Sequence, residues 1–152
     1  MYEFLVQLHS IGRWVVLILL LVAFFKHLTA GSRPLVKGDY SLNLFLTIFA
    51  DIMLLIGLYL WFSGPWGLKL IQSSGMGEAM KNPVSRFYVV EHNLGMLVAI
   101  ALIHIGKAQA KKSLTDAQKH KRMAIFFGIA LLLILLSVPW PFRVAGEGRG
   151  WF

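Results

Sequence analysis

Residues 4–29 read FLVQLHSIGRWVVLILLLVAFFKHLT, an apolar run broken by His9 and Arg13 and closed by Lys26 and His27. A helix needs roughly 20 mostly apolar residues to cross a hydrocarbon core of about 30 Å. This run is long enough, and its composition leaves little polar surface for water. Three further runs follow the same rule. Residues 42–62 are interrupted only by Asn43, Thr47 and Asp51. Residues 87–105 carry Glu91, His92 and Asn93 near their start. Residues 122–138 have no ionisable side chain after Arg122, and Pro139 and Pro141 then forbid a continuing helix. The expected fold is all-α: an integral membrane, up-down four-helix bundle forming one transmembrane domain over residues 1–152. The first run has no basic lead and no small-residue cleavage site, so it reads as a retained helix and not a signal peptide.

Between the runs lie helix breakers. Gly31-Ser32-Arg33-Pro34 follows the first run and Ser63-Gly64-Pro65-Trp66-Gly67 the second. Residues 63–85 form the longest link and include a short interfacial helix near 68–72. Composition agrees with the class. Of 152 residues 57% are hydrophobic and 14% charged, where a soluble domain carries about a quarter charged. The absence of cysteine excludes Cys-ligated zinc, iron–sulfur clusters and thioether-linked haem.

The net charge of +8 is distributed by topology. Lys26, Arg33 and Lys37 follow the first run, and Lys107, Lys111, Lys112, Lys119, Lys121 and Arg122 lie between the third and fourth. An up-down chain places these two links on one side. Positive loops stay cytoplasmic, so both termini are expected on the other side, periplasmic in a bacterium. Trp14, Tyr59, Trp61, Trp66 and Trp140 cluster toward that outer side as an aromatic belt. The basic residues flank apolar spans and do not interleave with exposed aromatics, so no nucleic acid partner is expected. The partner implied is the lipid bilayer, anionic head groups included. The pattern also leaves room for a homo-oligomer.

Ionisable residues at membrane depth are costly and mark candidate sites. His9 and His92 sit just inside the outer ends of helices one and three. These helices are diagonal across an up-down bundle. Two imidazoles at one depth could therefore hold a metal, a haem iron in particular, from both faces. His27 and His104 share a depth near the inner end. His9 and His27 lie 18 residues apart, five whole turns on one face with Gly12, Arg13, Val16, Leu20 and Ala23. Gly12 would admit a flat ring against the backbone. His92 and His104 lie 12 residues apart, about 120° out of register, so an inner site needs a twisted helix or another ligand. His120, in a lysine-rich link, is expected to be solvated. The bland reading of each histidine is an interfacial anchor or packing residue.

Arg13 requires a partner, and Asp51 or Glu91 is the expected one, fixing helix order. Alternatively, Arg13 or Arg86 would bind haem propionates. Asn43, Thr47 and Asp51 fall at i, i+4 and i+8, a polar stripe that carries protons or bonds a neighbouring helix. Met76 and Met80 in the outer link, with Met96 one turn from His92, offer a thioether–imidazole set suited to Cu(I).

Several stretches together resemble a known group. They are Leu8-His9-Ser10 with Arg13-Trp14, Gly57-Leu58-Tyr59-Leu60-Trp61 with Gly64-Pro65-Trp66-Gly67, Met80-Lys81-Asn82-Pro83, Val90-Glu91-His92 and Val138-Pro139-Trp140-Pro141-Phe142-Arg143. The chain resembles, over nearly its whole length, a family of small bacterial membrane proteins of the Bacteroidota that are labelled cytochrome b-like or uncharacterised. The resemblance implies an inner-membrane location and haem b. In that family the position of Asp51 can be histidine. The architecture is also similar to that of haem A synthase. Three readings stay open: a b-type haem protein that is an electron carrier or anchor subunit, meeting other redox subunits or quinone; a cofactor-free accessory subunit; and a periplasm-facing copper-handling protein. No nucleophile–base pair and no phosphate loop suggests independent enzymatic activity.

Overall fold

The computed structural model describes residues 1–147, 150 and 151. Its helices are α1 (Tyr2–Leu28), α2 (Lys37–Ser63), α3 (Leu68–Lys81), α4 (Pro83–Arg86), α5 (His92–Ala108) and α6 (Asp116–Ser137). A π turn, Phe87–Glu91, joins α4 to α5, and a 3-10 turn, Gln109–Lys111, extends α5. Among the described residues there is no strand. Four helical spans are long and apolar enough to cross a membrane: Tyr2–Leu28, Lys37–Ser63, Pro83–Lys111 and Asp116–Ser137.

Local chemistry sets the ends. Asn82 Oδ1 accepts from the Val84 and Ser85 amides at 2.9 and 3.0 Å, and Pro83 occupies the first helical position, where its missing N–H costs nothing. Thr115 and Gln118 cap α6 reciprocally: Oγ1 accepts from the Gln118 amide, and Oε1 accepts from the Thr115 amide. This start lies six residues before the apolar run itself, at Asp116. Asp39 caps α2 by accepting from the Val36 amide at 2.9 Å. It is fully buried, gripped at both oxygens by Arg33 at 2.7 and 2.8 Å and approached by Lys26 at 3.0 Å. That bond holds the Arg33 guanidinium more firmly charged than usual. The α1–α2 link is thereby tied to both helices. α3 runs well beyond the expected 68–72 turn, and Gly75 breaks it with φ +80°, a left-handed value suited to glycine.

α1 packs on α2 and α6, and α5 packs on α6 and α2, so α1 and α5 stand diagonally. Leu20, Leu46, Ile103, Met123 and Phe127 fill the centre, with Ala23, Ala50, Ala99 and Ala130 where helices approach. Small residues at such contacts let backbones come close, which is what drives helix association in lipid. Ile18, Leu55, Leu94, Leu132 and Leu136 face outward, each more than half exposed. An apolar coat of this extent suits hydrocarbon and not water. The start of α1 and Trp151 lie at one end of the bundle. There the Trp151 carbonyl accepts from Arg13 Nη2 at 2.6 Å and from Trp14 Nε1 at 2.9 Å. We call this the terminal end, and the opposite one the loop end.

Core packing and coat should respond differently to truncation. Phe127→Ala, at the centre, is expected to cost about 3 kcal/mol in detergent unfolding. Ile129→Ala, on the coat, is expected to cost well under 1 kcal/mol, since detergent replaces the lost contact. Equal losses at both sites would contradict this core.

Candidate functional site

The π turn delivers His92 to the bundle interior. Such a turn leaves carbonyls without their usual helical partners. Asn93 Nδ2 donates to the Tyr88 carbonyl at 2.7 Å, and Trp61 Nε1 donates to the Val89 carbonyl at 3.2 Å. His92 Nδ1 donates to the Ser137 carbonyl at 2.7 Å, so Nε2 carries the lone pair. That carbonyl is spare because α6 ends at Ser137, just before Val138 and Pro139. Gly95, one turn along α5, permits this closeness: a Cβ there would collide with the Ser137 side chain.

His9 faces His92 across the diagonal, with ring centres 6.2 Å apart and planes at 72°. Gly57 of α2 makes room for it, since a Cβ there would lie 3.1 Å from His9 Cε1. His9 Nδ1 is buried with no hydrogen-bond partner among the described residues. Both imidazoles border a cavity of about 400 Å³ between α1, α2 and α5, together with Arg13, Met53, Gly57 and Met96. The donor set can be tested against a metal held between the rings. Two metal–nitrogen bonds of about 2 Å, with roughly 1 Å from each nitrogen to its ring centre, span about 6 Å. The observed separation meets that requirement, and rotation about the bonds leaves the ring planes free. A fixed second nitrogen, as on His92, is the usual support of an imidazole ligand.

Other expected members of this site fall elsewhere. Arg13 meets neither Asp51 nor Glu91. Its guanidinium bonds the Trp151 carbonyl and stacks 5.4 Å from Trp14 and 5.5 Å from Trp140, while Nε is buried with no partner among the described residues. The C-terminal segment thus supplies what the acidic residues were expected to supply. Arg86 pairs with Glu91 at 2.6 Å, both half exposed and outside the cavity lining. Gly12 accommodates Met53 and not a flat ring, because a Cβ would sit 2.5 Å from the Met53 sulfur. Met76 and Met80 are exposed on α3, apart from His92 and Met96 in the cavity.

The loop end corrects two expectations. His27 does not pair with His104, and His120 is not solvated. His27 and His120 are both 1% exposed, with Nδ1 atoms 2.8 Å apart. His27 Nε2 lies 3.2 Å from Asn43 Oδ1, and His120 Nε2 lies 3.2 Å from the Arg33 carbonyl. These three links share two ring protons while both rings are neutral. One link is then empty unless Asn43 turns its amide nitrogen inward. The knot ties α1, α2 and α6 to the α1–α2 link. His104 lies on the far side of α5, where its Nε2 donates to Asp51 Oδ1 at 2.8 Å. The 120° offset from His92 takes it there. The polar stripe of α2 is divided accordingly: Asn43 joins the histidine knot, Thr47 accepts from Lys107 Nζ at 3.1 Å, and Asp51 holds His104. The signal for His120 was present in the sequence, since Thr115 and Gln118 form a capping pair that starts α6 early.

A double-mutant cycle checks the knot. His27→Ala and His120→Ala are each expected to cost about 2 kcal/mol, because either leaves a buried nitrogen unpaired. The pair should couple by about 1 kcal/mol or more. Additive losses would mean that the two rings do not bond one another. No family model, no curated protein and no solved structure matches this chain.

Proposed function

We propose that the chain is a b-type haem protein of a bacterial inner membrane, serving as an electron carrier or as the anchor subunit of a redox system. The observation that carries the reading is the pair His9 and His92, facing one another at 6.2 Å across the bundle diagonal, beside a mostly apolar cavity. His92 Nε2 and His9 would hold the iron. Arg13, whose Nε has no partner among the described residues and which lines the cavity, would meet a propionate. Haem bound this way supplies one-electron transfer, and two protein ligands leave no open position for a substrate. The carrier role follows, and with it a redox partner in the membrane, a protein subunit or a quinone. The apolar walls exclude water and lower the local dielectric, which tunes the potential.

The orientation is part of the proposal. Lys26, Arg33 and Lys37 at one loop, and Lys107, Lys111, Lys112, Lys119, Lys121 and Arg122 at the other, share the loop end. Retention of positive loops in the cytoplasm places the terminal end, with His9 and His92, toward the periplasm.

Protein purified in mild detergent from haem-replete cells should give a reduced-minus-oxidised spectrum of low-spin haem b. His9→Ala and His92→Ala should abolish it, and His27→Ala should retain it. Colourless wild-type protein sinks the reading, and stoichiometric copper in that sample favours the thioether–imidazole alternative. For orientation, a cysteine at Ser113 in this cysteine-free chain should resist impermeant thiol reagents in intact cells. Labelling there would reverse the topology.

A further inference from the structure

Two features of the α2–α5 face are at odds with a bundle surrounded by lipid alone. The first is the Asp51–His104 pair, whose side chains are 48% and 46% exposed. Asp51 lies midway along α2, at membrane depth. One turn from Asp51 on α2, Ile48 and Leu55 are apolar and outward, as is Leu97 two turns from His104 on α5, while Lys107, one turn from His104 toward the loop end, bonds Thr47. A hydrogen-bonded carboxyl and imidazole thus sit in an apolar field where polar groups are costly. The second is the cavity itself. Leu58 and Phe62 of α2 and Leu97 of α5 line it and are also 36%, 56% and 47% exposed, so it opens sideways between these helices.

We propose that this face docks a second copy of the chain about a two-fold axis along the membrane normal. Every copy carries the same loop charges and inserts the same way round. A two-fold axis along the normal therefore brings each residue to its counterpart's depth. Asp51 and His104 share one depth, so the pair meets its own copy. It is self-complementary. His104 Nε2 donates to Asp51 Oδ1, which leaves His104 Nδ1 and Asp51 Oδ2 with no partner among the described residues. An uncharged pair overall holds one further proton, on His104 Nδ1 or on Asp51 Oδ2. In either place it bridges His104 of one copy to the partner's Asp51. Two such bridges close a ring of four side chains with no net charge, which is what hydrocarbon favours. The same contact covers the sideways mouth of the cavity. The inference does not depend on what the cavity holds.

The test uses the full chain in liposomes at low protein-to-lipid ratio. Ala101→Cys, one turn from His104, should give a disulfide-linked dimer on mild oxidation. Leu132→Cys, exposed on α6, should not. In the Ala101→Cys background, Asp51→Leu with His104→Leu should lower the linked fraction about tenfold, the scale of a few interhelical hydrogen bonds. Asp51→Asn should keep it within about twofold, because the amide accepts from its own His104 and donates to the partner's. Absence of the Ala101 cross-link, equal cross-linking at Leu132, or an unchanged yield in the double leucine variant would each overturn the proposal.

Discussion

Hydrocarbon offers no hydrogen bonds, and this shapes every part of the bundle. Backbone groups are absorbed by making the spans helical. Where a helix departs from the regular pattern, a side chain meets the freed carbonyl: Asn93 and Trp61 at the π turn, and His92 at the end of α6. The same demand acts on side chains. His27, His120, Asn43 and the Arg33 carbonyl are gathered into one knot, and Asp39 is buried only because Arg33 and Lys26 surround it.

Against that background the unsatisfied groups stand out. His9 Nδ1 and Arg13 Nε, at the border of one cavity, are buried with no partner among the described residues, and a buried polar atom without a partner costs free energy. The Asp51–His104 pair is bonded within the chain through one nitrogen and one oxygen, and it is turned outward with both side chains about half exposed. At the loop end the polar groups hold three helices and a link together, and Gln109 Oε1 is a further buried atom with no partner among the described residues.

The residues by themselves determined the number of spans, their up-down order and the shared depth of His9 and His92. Apolar length reads directly as a crossing, and rise per residue converts position into depth. They also determined that His92 and His104 face different ways, since that is a rotation along one helix. What only the tertiary structure decided was who meets whom. Rotation about each helix axis and the late arrival of distant segments are not encoded in any local period. So Arg13 found the Trp151 carbonyl and not Asp51, and Gly57 on a neighbouring helix, not Gly12 on its own, made room for His9. His27 found His120 because a capping pair before the apolar run started α6 early and carried that ring into the core. Partner choice depends on packing across helices, and packing is a property of the assembled bundle.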